Sequence, residues 1–382
     1  MKVRRRIRLK KTKKIISLII LFCNLISFSG CFSYKDINKL LFITSVIVDI
    51  DKDNRPILYV EAFKPFRSSA SGSERGQRVL LKGTGKTTYE ALRDIHLSTS
   101  YKLNYTQNKA VIFTCRAAKI GIDNWLDIFD RNQEFIIRPY IAITNDNPED
   151  LMKLKIADQE YLGVIVKELI DNEGASTRAV RLALNEYLNR RLIGSKTEVL
   201  TLISIKKNIP EERVEIAGGA ILKEDKFMEI LPRTDGQGYN FLMNTLKTGS
   251  LEISNPQEEN NFVSLNILNN RTNTELTYDG KVIRLRKRIN IKTNIEEIEK
   301  ELILNDENIF KIREKSEDNI KRACMRVFEK YKEQDLDIFQ IKETLERKYP
   351  NAKVENPLKI TELEVVVNEN IEGSPDTQDF WN

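Results

Sequence analysis

The chain has 382 residues, of which 41% are hydrophobic and 31% charged, a globular profile that excludes an intrinsically disordered protein. Its net charge of +6 comes from the N-terminus, where nine lysines and arginines lie in the first 14 residues and residues 1–30 hold no acid. Without that segment 53 basic residues face 56 acidic ones, so the body lacks the global basicity that binds nucleic-acid backbones.

The first 14 residues are followed by an apolar run from Ile15 to Phe22 that continues to Phe28, and then by Ser29-Gly30-Cys31. Charge, apolar core and small residues in that order make an export signal. A cysteine directly after the small pair makes a lipobox, although Phe28 stands where leucine is usual. The expectation is a lipoprotein signal peptide over 1–30, with Cys31 as the lipidation site, its thiol diacylated to hold the body on the outer face of a membrane. Ser17, Asn24, Ser27 and Ser29 interrupt the apolar segment, which makes it a poor transmembrane span.

Beyond the anchor, residues 40–50 are β-branched and apolar and predict a strand. Asp51-Lys52-Asp53-Asn54 predicts a turn, and Leu58–Phe63 the returning arm of a hairpin. Residues 67–78, rich in Ser, Gly and charge, read as a mobile loop. Thr88–Ser98 predicts a helix, Ala110–Thr114 a buried strand, Asn124–Arg131 a helix and Phe135–Ile143 a strand. Two helices are expected near 148–171 and 176–191. The polar stretch 206–212, with Pro210, is the expected domain boundary. Val214–Leu222 and Phe227–Leu231 predict a hairpin around Lys223–Lys226. In the strand expected over 281–292, Ile283, Leu285, Ile289 and Ile291 alternate with Arg284, Arg286, Arg288 and Asn290, so the basic face reads as a solvated sheet face. Residues 306–333 predict a long helix with an apolar stripe of Ile309, Ile312, Ile320, Ala323, Val327, Phe328 and Tyr331. Leu363–Ile371 is the last expected strand. Strands and helices mix in each half, which predicts a multi-domain α+β fold, sheets with packed helices. The expected parts are 31–207 and 213–382, the second dividing near 255 if there are three domains.

Gly83-Thr84-Gly85-Lys86-Thr87-Thr88 resembles the end of a phosphate-binding loop. The full motif needs glycine at position 80, which is Leu80, so the segment reads as a strand-to-helix turn capped by Thr87 or Thr88. His96, the single histidine, falls on the predicted 88–98 helix without a nucleophile motif beside it. Cys115 and Cys324 sit at apolar positions and read as buried free thiols, and no metal-ligand spacing is present. Catalytic residues, cofactor sites and metal sites are therefore all expected to be none.

An ordered set of residues resembles the Ger(x)C family, the C subunit lipoproteins of spore germinant receptors. It begins with Cys31, Tyr34–Leu40 and the strand ending Val48-Asp49-Ile50-Asp51. Gly83-x-Gly85-x-x-Thr88-x-Glu90-Ala91-x-Arg93 follows, then Gly121-Ile122, Asp127, Arg131, Glu134 and Arg138. In the second half come Gly218-Gly219-Ala220, Asp225-Lys226, Gly236-x-Gly238-Tyr239 and Asp337-Ile-Phe-Gln, where the family's glycine is replaced by Gln340. The resemblance implies a mixed α/β fold and a non-enzymatic subunit of a nutrient receptor needed for spore germination. It implies two membrane subunits as partners and a place on the spore inner membrane. The alternative from the residues is an exported solute-binding lipoprotein that itself holds a small nutrient, but such proteins have two similar lobes and these halves do not look alike.

Overall fold

The computed structural model describes residues 39–65, 76–154, 161–172, 179–207 and 211–372, together with Ser17. Cys31, most of the signal segment and most of the expected mobile loop lie outside the described residues. Residues 41–382 form one compact unit, and no helix among the described residues is long and apolar enough to cross a membrane.

A mixed sheet organises the first part. It contains β1 (Leu40–Ile50), β2 (Pro56–Lys64), β3 (Gln77–Thr84), β4 (Lys102–Asn104), β5 (Ala110–Thr114), β6 (Tyr140–Thr144), β7 (Thr197–Lys206), β8 (Arg213–Lys223) and β9 (Lys226–Pro232). The order across the sheet is β3-β2-β1-β5-β6-β7-β8-β9, with β4 pairing to β1 beside that path. β1, β5, β6 and β7 run parallel. β1 alternates its side chains between two cores: Val46 and Val48 enter one, Ile47 the other. Being covered on both faces is what makes its sequence a continuous apolar run.

One face carries α1 (Thr88–Leu97), α2 (Cys115–Ile120), α3 (Asp123–Arg131) and α6 (Leu184–Arg190). The other carries α4 (Pro148–Lys153) and α5 (Leu162–Asp171). The described residues of the region expected as two helices thus hold three short ones. The expected strand at 135 begins only at Tyr140. Phe135 instead packs on Tyr105 and Phe129, so burial in an aromatic cluster took precedence over strand propensity.

The stretch 206–212 joins β7 to β8, which pair antiparallel with Lys206 opposite Arg213. The chain leaves the large sheet through α7 (Arg233–Met243) and builds a second sheet, β10-β11-β12-β13, from β10 (Gly249–Ser254), β11 (Phe262–Tyr278), β12 (Ile283–Ile298) and β13 (Thr361–Ile371). One face is covered by α8 (Asp306–Glu333), with α9 (Ile341–Lys348) beside it. α8 begins where Asn305 accepts from the Asn308 amide. Asp306 and Glu307 occupy its first turn and Lys330 and Lys332 its last, the charge order that suits the helix dipole. Ile312, Ile320, Cys324, Val327, Phe328 and Tyr331 bury its stripe.

Candidate functional site

A surface groove of about 480 Å³ lies between the start of α1 and the length of α3. Thr87, Thr88 and Tyr89 form one wall, and Asn124, Trp125, Asp127, Ile128, Arg131 and Asn132 the other. Tyr89 is 57% exposed while Trp125 is buried. Asp127 and Arg131 pair one helical turn apart at 2.5 Å on the open rim, an arrangement worth little to stability in water. Two segments singled out in the sequence, the glycine-rich turn and the Asp127–Arg131 spacing, therefore meet here.

The turn itself is wired to its own helix. The Thr87 hydroxyl accepts from the Glu90 amide at 3.1 Å, and the Lys86 amide donates to the Glu90 carboxylate at 2.6 Å. The Thr84 amide donates to Asp94 at 2.9 Å. Amides that a phosphate would need are thus already satisfied by carboxylates, which also repel an anion. The glycines are required by close approach rather than by backbone conformation. A Cβ on Gly83 would come within 2.1 Å of the Ala91 carbonyl oxygen, and one on Gly85 within 2.5 Å of the Ala91 amide. Gly85 is not among the positive-φ glycines, so close approach alone keeps glycine there.

Other signature residues form buried polar junctions. The Asp225 carboxylate accepts from Tyr187 Oη at 2.6 Å and from Arg191 Nε at 2.8 Å. Its carbonyl accepts from the Ile122 amide at 3.0 Å. The β8–β9 turn is thereby locked to α6 and to the α2–α3 connection, joining the Gly121-Ile122 and Asp225-Lys226 segments. Glu224 and Asp225 both have φ near +50 to +65°, as a two-residue hairpin turn requires. Gly238 of α7 lets α8 approach: a Cβ there would sit 2.4 Å from the Ala323 carbonyl oxygen. Asp235 receives Lys330 at 2.8 Å across the same helix pair. The Asp337 carboxylate accepts from the Ile341 and Lys342 amides at 3.0 and 2.9 Å. Gln340, standing where the family has glycine, is left-handed at φ 57°.

Glu61, Lys287 and Glu198 are among the buried charges that the sequence analysis did not single out. Glu61 is fully buried and takes Arg78 Nε at 2.7 Å, the Thr44 hydroxyl at 2.7 Å and the Leu162 amide at 2.9 Å. It ties β1, β2, β3 and the start of α5 into one knot. A carboxylate inside the apolar run Tyr59-Val60-Glu61-Ala62-Phe63 was the available signal. Lys287 is only 5% exposed, donates to the Leu242 carbonyl and the Thr274 hydroxyl, and burial pushes its pKa down to about 8. Its parity with Leu285 and Ile289 placed it on the inner face. Glu198, between α6 and α9, is pushed up to about 7 by burial, with Arg190 opposing.

The remaining candidates are structural. His96 is half-buried on α1, and burial lowers its pKa, followed by the field of Arg93. Cys115 and Cys324 are free and buried, and burial pushes the Cys324 thiol up to about 12. Among the described residues, no group of three or more His, Cys, Asp or Glu is placed to hold a metal ion. On the outer face of the second sheet Arg284 pairs with Asp279 and Arg286 with Glu364, both at 2.8 Å. The basic stripe is thus largely neutralised in place.

Comparison with known proteins accounts for these placements. A family model described as the spore germination protein N-terminal domain matches residues 33–205. A second, described as spore germination B3/GerAC like, C-terminal, matches residues 217–374. Spore germination protein GerQC of Bacillus cereus is 21% identical over 271 residues, 71% of this chain and 74% of the relative. Spore germination protein KC of Bacillus subtilis strain 168 is 20% identical over 365 residues, 88% of each chain. The crystal structure of the GerBC protein shares the fold, with a TM-score of 0.56 at 13% identity, over 86% of this chain and 96% of that one. The chain belongs to the GerAC-like family of spore germination proteins.

Proposed function

We propose that this member of the family is a non-enzymatic, lipid-anchored subunit of a germinant receptor. It sits on the outer face of the spore inner membrane and acts with two membrane subunits in germination triggered by nutrients. The observation that carries the reading is the match of both spore germination models in order along one chain. The lipid is placed on Cys31 by the sequence alone: a basic start, an apolar core and the Ser29-Gly30-Cys31 site. A diacylglyceryl thioether with an acylated amine supplies enough chains for stable anchoring, palmitate being a suitable acyl group. Anchoring raises the effective concentration of the body near membrane proteins, so a modest interface suffices.

The polar junctions support a contact role. Glu61, Asp225 and Asp337 have their carboxylates engaged by neighbouring amides and side chains, so they hold the scaffold in one geometry. The groove between α1 and α3 is the surface we assign to a partner, because Tyr89 offers an exposed ring beside the Asp127–Arg131 pair. The test uses a deletion strain lacking redundant paralogues. Nutrient germination should be lost while non-nutrient germination persists, and be restored by the wild-type gene but not by Cys31→Ala. Normal nutrient germination in the deletion strain would reject the role. Fatty-acid labelling of the Cys31→Ala protein equal to wild type would reject the anchor.

A further inference from the structure

We propose that the end of the large sheet where β1 begins is a basic surface that rests on anionic phospholipid headgroups. The inference builds on the Cys31 anchor and adds which face of the body meets the membrane.

Four cations converge at that end. Lys64 closes β2 and faces Gln77 at the start of β3, with its Nζ 4.6 Å from the centre of the Tyr101 ring. Lys102 opens β4, which pairs with β1. Lys109 precedes β5, its amide donating to the Thr44 carbonyl of β1 at 2.8 Å. Arg138 stands two residues before Tyr140, whose amide donates to the Lys109 carbonyl at 3.0 Å. Lys102 and Arg138 are exposed, and Lys64 and Lys109 half-buried. Two nearby carboxylates are engaged elsewhere. Glu61 is buried against Arg78, and Asp171 is held by Tyr140 and Lys167. Glu134, whose field reaches Tyr105 and His96, offsets part of the charge. The opposite end of the same sheet is mixed in charge, with Asp51, Asp53, Glu90 and Asp94 interleaved with Lys52, Arg55, Lys86 and Arg93.

The tether selects this end. Ten peptide steps separate Cys31 from Leu41, a reach of about 35 Å when fully extended, and the chain enters the body at the start of β1. The basic end is therefore the one nearest the bilayer. Three of the four cations are lysines on flexible stems, spread over strand ends rather than gathered in a cleft. A diffuse array of point charges suits a fluid layer of anionic headgroups, whereas a fixed acidic peptide is better matched by convergent arginine forks.

The test couples the chain from Cys31 onward, which retains the whole compact unit, through the Cys31 thiol to a maleimide lipid in vesicles. Cys115 and Cys324 are buried and leave Cys31 as the reactive thiol. Chemical coupling makes the result independent of natural acylation, so failure of the anchor reading and failure of this one remain distinct. Vesicles are phosphatidylcholine alone or phosphatidylcholine mixed with phosphatidylglycerol, and lysines are labelled with an amine-reactive reagent. Labelling at Lys64, Lys102 and Lys109 should fall several-fold on the anionic vesicles and recover at high salt. Exposed Lys52 and Lys321 should not change. The double variant Lys102→Gln, Arg138→Gln should dock weakly, restoring labelling at Lys64 and Lys109. Equal labelling on both vesicle types overturns the proposal. So does protection that requires a co-reconstituted membrane protein, since the surface would then be a protein contact.

Discussion

The large sheet and the outer face of the second sheet use the same charged residue types in opposite ways. In the large sheet Glu61, Asp49 and Asp225 are buried, and each is held by arginine and hydroxyl donors. In the second sheet Arg284, Arg286 and Lys292 stand on a solvated face, paired to Asp279, Glu364 and Glu372. A sheet covered on both faces must satisfy any charge internally, whereas a sheet covered on one face leaves that work to water. Position rather than residue type therefore decides which charges hold the structure.

The largest test of this contrast is Glu61→Leu. It strands Arg78 and two α5 amides, and should cost about 3–5 kcal/mol in urea unfolding. A loss under about 1 kcal/mol would mean that the knot is not structural. Gly85→Val forces a side chain into the Ala91 amide and should destabilise by about 1–3 kcal/mol. Lys86→Ala beside it should change stability by less than about 0.5 kcal/mol and leave germination intact. Saturable ATP binding lost in Lys86→Ala would contradict the structural reading of the turn.

The Glu198 carboxyl supplies a pH test. Its folded pKa, raised to about 7, means that the folded chain binds the extra proton between the ordinary carboxylate range and neutrality. Stability from this group is present below the ordinary glutamate pKa and is lost as pH rises towards about 7. Glu198→Gln should therefore gain thermal stability relative to wild type at pH 8 more than at pH 5. An equal shift at both pH values would remove Glu198 as the titrating group.

Smaller effects sharpen the other side. Gln340→Gly relieves a left-handed side chain and should raise stability by up to about 1 kcal/mol, and a loss would show that the glutamine side chain contributes more than its backbone costs. Arg286→Ala on the solvated face should cost less than about 1 kcal/mol and depend on salt, in contrast to Glu61.

Elements with one clear period were legible in the sequence. The 306–333 helix has the bounds expected, because its apolar stripe, its cap and its terminal charges all agree. β1, β2, β5, α1 and the β8–β9 hairpin were legible as well. β7, β10, β11, α7 and α9 were not anticipated. β11 alternates Val263, Leu265 and Ile267 but then carries Asn269, Asn270 and Thr272, and beyond Ile267 it is held as a strand by its pairing with β12. α7 contains Gly236 and Gly238, poor helix formers, and Gly238 is kept because α8 crosses there. The stretch 206–212 is polar and connects β7 to β8, which pair. Of the candidate site, the glycine-rich turn and the Asp127–Arg131 pair were legible as residues. Their meeting in one groove was not, because more than 30 residues separate them.

The central claim is that the chain acts by contact within a membrane receptor. Its most direct test is purification of the tagged, full-length chain from spore membranes in mild detergent, with copurifying proteins identified by mass spectrometry. The account predicts recovery of two membrane subunits, reduced by a Tyr89→Ala, Arg131→Ala double variant that leaves the fold intact. A clean preparation that contains neither subunit would contradict it.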